Sequence, residues 1–372
     1  MRVLYLTMNP NRASTTVPTE GWFRLLPARG LEPVLASTEL GAFHAWTVAQ
    51  GIPAFQVAMP VPAVFSVRTL VPALWQLRKL VKRYRIQLIH SNEQDLYAVA
   101  QYLGKVCRLP VVVSVHFTMD RGFSEWAFAG SRNPARIFFV SPGSRDACRP
   151  GVGGVIPESK WRVLPNGLDL EHFVPDQPRR DRFRQAHGLA AGPAIGVACA
   201  LRPRKQLEHL FDAASRVDVP NLRIVVAGGP VAGDEAYSAQ LLANARAQLG
   251  DRLVVLGHLD ELRGFYNAMD IFVNTSQEEA CSISVLESLA CGCPVLGYAS
   301  KSVDGQILPD GGEIVEQDNI DALAVALGHW LGSPERLTAR RVGARKMAED
   351  HFDIRALSSQ LWREYEDVLA GR

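Results

Sequence analysis

The feature that most constrains this chain is a rhythm. Short runs rich in Val, Ile and Leu alternate with longer stretches whose apolar residues fall at helical spacing. Strands buried on both faces read as continuous apolar runs, and parallel strands need a crossover of about a dozen residues, so the alternation predicts an α/β fold with parallel sheets. In the first half the runs are 3–7, 33–36, 54–57, 87–90, 111–115, 137–140 and 161–164. In the second half they are 194–200, 223–227, 253–256, 271–274, 294–297 and 313–315.

Between the two sets, residues 165–178 read PNGLDLEHFVPDQP, and their prolines and Asn-Gly punctuate the chain as a turn and linker would. At 372 residues there is material for two cores. The expected division is 1–170 and 171–351, with an amphipathic closing helix over 352–372 packing back on the first domain. In paired parallel sheets of this kind a ligand sits beyond the carboxyl ends of the strands, in a cleft between the domains.

Forty Lys and Arg against 38 Asp and Glu give a net charge of +2, which is no footprint for nucleic acid. The six cysteines stand in apolar or small-residue contexts without paired CxxC spacing, as expected of reduced thiols in the cytoplasm rather than zinc ligands. The opening MRVLYLTMNPNR is too short in its apolar run for a signal peptide, and no run of about eighteen apolar residues occurs.

The chemistry concentrates in 278–295, EEACSISVLESLACGCPV. Ser282 or Ser284 can cap a helix running to Cys291, with Gly292 as the left-handed stop and Pro294 beyond. A helix start at the carboxyl end of the 271–274 strand offers free N–H groups and partial positive charge to a phosphate. Carboxylates only accept hydrogen bonds, so Glu279 and Glu287 suit sugar hydroxyls, which donate them. A plainer reading stands beside this one, with Ser284 and Glu287 as a capping box and Glu279 as a solvated loop acid.

The two acids, seven residues apart and followed by SLACGCPV, closely resemble the donor-site motif of the retaining glycosyltransferases of family four, which have the GT-B fold of two facing Rossmann-like domains. VLPNGLDLEHFVP (163–175), LRPRKQ (201–206) and GHLDELRGFYNAMDIFVNTS (257–276) resemble other segments of that family in the same order, and the likeness is specific over roughly 136–330. The resemblance implies that Glu287 accepts from both ribose hydroxyls of a nucleotide and Glu279 from a hydroxyl of the transferred sugar. It implies that N–H groups of Cys281, Ser282 and Ile283 hold the remaining oxygens, and that Lys205 neutralises the departing diphosphate. The likeness of VVVSVHF (111–117) to the family implies that His116 contacts the donor sugar near the reacting carbon, by side chain or backbone, whereas His90 is not assigned to the site.

Two departures from the family stand out. Its usual Gly-Arg pair before the basic loop reads Cys199-Ala200, with Arg202 as the candidate replacement guanidinium. Its glycine pair after the first strand is replaced by NPNRASTT (9–16), leaving hydroxyls of Ser14, Thr15 and Thr16 to approach the acceptor. Asp169 and Glu171 imitate a metal-binding pair but belong to a turn, and GVGG (151–154) lacks dinucleotide-binding spacing.

Residues 70–86, LVPALWQLRKLVKRYRI, combine a face of Leu70, Leu74, Leu77, Val81 and Tyr84 with five basic residues. Core packing with a solvated basic face is one reading; contact with anionic lipid at the inner face of a membrane is the other. The resemblance as a whole implies a cytoplasmic, metal-independent retaining enzyme. It would move a sugar from a nucleotide diphosphate, uridine rather than guanosine, to a glycan, lipid or small-molecule acceptor in cell-envelope or glycoconjugate synthesis, with no cofactor besides the donor. A non-catalytic binding protein of this fold and a nucleotide-sugar epimerase are the other readings.

Overall fold

A computed structural model describes residues 1–11, 13–279, 281–300 and 305–371. The chain forms two compact units, Met1–Gly167 with Ile354–Arg372, and Leu168–Asp353.

The first unit runs β1 (Arg2–Thr7), α1 (Val17–Leu25), β2 (Glu32–Ser37), α2 (Ala42–Ala49), β3 (Ala54–Gln56), α3 (Val67–Arg83), β4 (Leu88–Ser91), α4 (Tyr97–Cys107), β5 (Val111–Val115), α5 (Arg121–Phe128), β6 (Arg136–Phe139), α6 (Pro142–Val152) and β7 (Trp161–Val163). The second runs α7 (Gln177–Ala186), β8 (Ala194–Ala198), α8 (Leu207–Ser215), β9 (Arg223–Ala227), α9 (Glu235–Leu249), β10 (Leu253–Gly257), α10 (Arg263–Ala268), β11 (Ile271–Asn274), α11 (Ile283–Ala290), β12 (Val295–Tyr298), β13 (Gly312–Val315), α12 (Ile320–Leu331) and α13 (Pro334–His351). The last helix, α14 (Ile354–Ala370), belongs to the first unit.

Every apolar run named above is a strand, and every pairing between named strands is parallel. The sheet orders are β3-β2-β1-β4-β5-β6-β7 and β10-β9-β8-β11-β12-β13. Strand order therefore reverses between β1 and β4 in one unit and between β8 and β11 in the other, and such switch points leave a crevice beyond the carboxyl ends. The 194–200 run ends as a strand at Ala198, where the neighbouring chain comes unusually close. Gly228 has φ +129°, and a Cβ there would lie 1.9 Å from the Cys199 carbonyl oxygen.

The helix over 70–86 starts earlier, at Val67, because Ser66 and Thr69 form a reciprocal capping box. Its Leu70, Leu77 and Val81 are core residues, so the face read from the sequence packs inside the unit. Asp169 Oδ1 accepts from the N–H of Glu171 at 3.0 Å, which makes the apparent acid pair a turn. Among the described residues no helix is long and apolar enough to cross a membrane.

Candidate active site

In the second unit the loops after β8 and β11 are stitched together. Gln277 N–H donates to the Arg204 carbonyl at 3.0 Å, and the Thr275 hydroxyl donates to the Lys205 carbonyl at 2.7 Å. This fixes Lys205, at the end of a short 3-10 turn, beside the acids of the other loop, and its ammonium pairs with the Glu279 carboxylate. Both side chains are 13% exposed. A small gap of about 10 Å³ at this switch point is lined by Ala198, Cys199, Lys205, Thr275, Ser282 and Ser284, among others. Two predicted residues from separate motifs, Lys205 and Ser282, thus share one wall.

The motif helix is α11, with Ser282 as its N-cap and Gly292 left-handed at φ +70° just past its end. The capping-box alternative does not form. The Ser284 hydroxyl lies 3.0 Å from that of Ser282, and buried Glu287 accepts instead from the Tyr266 hydroxyl at 2.8 Å. Burial, then the nearby Glu287 carboxylate, pushes the Tyr266 phenol well above its ordinary range. Ile283, half-buried, opens the helix.

Two predicted groups meet protein partners. The Ser282 N–H, assigned to a ligand oxygen, donates to Gln306 Oε1 at 3.0 Å, while Gln306 Nε2 lies 2.6 Å from buried Cys281 Sγ. Arg202, the candidate replacement guanidinium, has its Nε 3.2 Å from the Asp234 carboxylate. Neither Gln306 nor Asp234 stands in a motif that marked it. Ala280 lies outside the described residues.

In the first unit the matching switch point gathers a polar set that the sequence reading passed over. Asn92, Glu93 and Gln94 follow β4 directly and are buried. Glu93 accepts from the Thr7 hydroxyl at 2.7 Å and from the Met8 N–H at 3.1 Å, so it anchors the loop after β1. Asn92 Nδ2 donates to the Thr15 carbonyl at 2.8 Å, and the His116 N–H donates to Gln94 Oε1 at 3.2 Å. Burial outweighs these hydrogen bonds and raises the Glu93 carboxyl to about 7. A polar run placed immediately after a strand was the available signal.

His116 lies at the end of β5, buried, with Nε2 lacking any hydrogen-bond partner, and burial lowers the imidazole to about 4. It is therefore neutral, with one ring nitrogen uncommitted. His90 is structural. Its ring meets the Tyr365 hydroxyl on α14 and Ser114 Oγ at 2.8 Å, and stacks on Trp22.

The three loop hydroxyls also separate. Thr16 spends its hydroxyl on its own loop, donating to the Asn11 carbonyl and accepting from the Ala13 N–H, each at 2.9 Å, which removes it from the acceptor set. The Thr15 hydroxyl is buried against the Glu93 carboxyl, and Ser14 is half-buried. Arg12 lies outside the described residues.

Two family models match this chain. One, described as glycosyl transferases group 1, covers residues 179–347, and the other, glycosyltransferase family 4, covers 20–172. A GDP-mannose-dependent alpha-(1-6)-phosphatidylinositol monomannoside mannosyltransferase of Mycolicibacterium smegmatis is 29% identical over 248 residues, 63% of this chain and 62% of that protein. That match spans less than two thirds of the relative's own length. The MMP alpha-(1->4)-mannosyltransferase of Mycolicibacterium hassiacum is 27% identical over 346 residues, 84% of this chain and 76% of that one. HepE of Anabaena, solved in complex with UDP, has a TM-score of 0.87 at 18% identity and covers 99% of this chain and 100% of its own. With both halves matched and the two parallel sheets in place, the chain belongs to glycosyltransferase family four and has the GT-B fold.

Proposed function

We propose that this glycosyltransferase works with retention, moving a sugar from a nucleotide diphosphate to a glycan or lipid-linked acceptor at the inner face of a membrane. The observation that carries the reading is the shared wall of Lys205 and the start of α11 at the β8/β11 switch point. A departing diphosphate there meets an ammonium and a helix start, which together supply leaving-group charge from the protein's own groups.

Lys205 is paired with Glu279, so the ammonium must exchange that carboxylate for phosphate oxygens when a donor enters. The exchange frees Glu279 to accept from a hydroxyl of the transferred sugar, linking the two roles in one step. Glu287, oriented by Tyr266, accepts from the ribose, and in the first unit neutral His116 keeps one ring nitrogen for a ligand hydroxyl. By resemblance to the family, the acceptor attacks on the face the diphosphate leaves.

We take uridine as the donor base, and GDP-mannose is the competing donor because the mycobacterial relative is named for it. Incubation with a panel of UDP- and GDP-sugars, following nucleotide release and the anomeric configuration of the product by NMR, tests the reading. Release from one donor with retained configuration supports it. Tight nucleotide binding without release supports a non-catalytic binding protein, which Cys199 in place of the family glycine favours. Conversion of the donor to its epimer, or no binding at all, overturns the proposal.

A further inference from the structure

The helix α3 carries a second apolar row besides the one it buries. Val67, Val71 and Trp75 are 75%, 57% and 62% exposed. At 100° per residue their spacing of four keeps them in one stripe, and Arg78 and Lys82 continue it with steps of three and four. Arg68, Lys79 and Arg83 are exposed along one side of the stripe, and the Lys79 ammonium stands 3.1 Å from the centre of the Trp75 ring.

The apolar surface does not end with this helix. Val64, just before it, is 59% exposed, and Phe65 stacks on Tyr102 of α4 at 6.1 Å and meets Trp126 of α5 edge-on at 5.2 Å. Tyr102 and Trp126 are themselves 39% and 40% exposed. A folded chain ordinarily scatters such residues singly, so the ring cluster of Phe65, Tyr102 and Trp126, two residues along the chain from the exposed row that starts at Val67, marks a surface that something covers.

Charge identifies the occupant. From Leu40 to Asn92 the sequence has no Asp or Glu, while it has Arg68, Arg78, Lys79, Lys82, Arg83 and Arg85. A protein partner would meet this with a matching acidic surface of fixed shape. An anionic bilayer offers negative head groups at any spacing and an apolar layer just beneath them, where Trp is at home at the boundary. Resting on the membrane-side reading of the acceptor given above, we infer that the face made by Val67, Val71, Trp75, Tyr102 and Trp126 docks on an anionic lipid surface. Arg78, Lys79 and Lys82 contact the head groups, and Val71 and Trp75 enter the interfacial layer.

The test uses the full chain and no donor sugar. Co-sedimentation is measured with vesicles of phosphatidylglycerol and phosphatidylcholine in equal parts, and with phosphatidylcholine alone. The expected result is binding to the first only, weakened by salt. Arg78→Gln with Lys82→Gln should cut partitioning about tenfold or more, since each basic residue near an anionic surface contributes several-fold. Val71→Ser with Trp75→Ser should weaken binding at high salt as well, because that part is not screened.

These positions are exposed, so unchanged thermal unfolding is expected and is checked alongside. The inference is overturned if the chain stays in the supernatant with both vesicles. It is equally overturned if both double variants bind as the parent does, or if the face proves to join two copies, seen as concentration-dependent dimerisation abolished by Trp75→Ser. Nucleotide release from donor sugars is read without vesicles, so a failed vesicle experiment leaves the transferase reading standing and a failed donor panel leaves this one standing.

Discussion

The Tyr266 hydroxyl holds Glu287 Oε2 at 2.8 Å, with both residues buried, so the acid of the donor motif is aimed by a phenol on the preceding helix. Tyr266→Phe keeps the ring and removes the donor. We expect unfolding free energy to fall by about 2 kcal/mol, the range for a hydrogen bond to a charged group, and nucleotide affinity to fall with it. Urea denaturation and calorimetry with UDP measure the two. Equal affinity in parent and variant would detach Glu287 from the ribose.

Lys205 and Glu279 compete with the donor for one another, and this separates their mutants. Lys205→Ala should lose about 10²-fold in turnover, some 3 kcal/mol of transition-state stabilisation. Glu279→Ala should also slow turnover, yet it should tighten binding of free nucleotide diphosphate, because the ammonium no longer has a carboxylate to give up. Weaker diphosphate binding in Glu279→Ala would place the phosphates away from Lys205.

Glu93 predicts a pH signature. Its folded value of about 7 lies above the ordinary 4.5, so between those values the native state binds the proton that the unfolded chain releases. Stability from this group is therefore lost as pH rises from about 4.5 to 7, on the order of 3 kcal/mol across the window. His90 and His116, held near 3 and 4, act oppositely and cost stability as pH falls below about 6.5. Comparison of parent with Glu93→Gln isolates the carboxyl. The variant should be less stable at pH 5, where one hydrogen bond is lost, and should recover relative to the parent at pH 8. Parallel stability curves would refute the assignment.

Gly228→Ala places a methyl group 1.9 Å from the Cys199 carbonyl oxygen at a φ of +129°. A loss of about 3 kcal/mol or more is expected, with the crevice wall at Cys199 displaced. Thermal unfolding reads the first effect and nucleotide affinity the second. A variant of parental stability would show that the two strands can separate there without cost.

The strands were legible because both sheets are parallel and covered on both faces, so every strand is an apolar run with no alternation to misread. The helix from Ser282 to Gly292 was legible because its cap and stop are local chemistry. What decides the site at atomic scale is not local. Tyr266 reaches Glu287 across 21 residues, Gln306 reaches Ser282 across 24, and Glu93 reaches Met8 across 85, partners that only the strand order brings together. The Asp234 partner of Arg202 was hidden for the same reason, since Asp234 stands beyond a different strand. Helical periodicity likewise found the buried face of α3, but nothing local tells whether a second apolar row is covered.

The closing helix α14 completes the first unit from the far end of the sequence. Its Leu357, Leu361, Tyr365 and Val368 fill one face of the first sheet's core, and its Glu364 pairs with Arg136 at 2.8 Å and Arg162 at 2.6 Å. The ribosome therefore delivers the whole second unit before the first can finish folding. Truncation ahead of Tyr365 would expose Tyr5 and the polar side of His90, so the half translated earlier is the one harmed by losing a helix translated after the second unit.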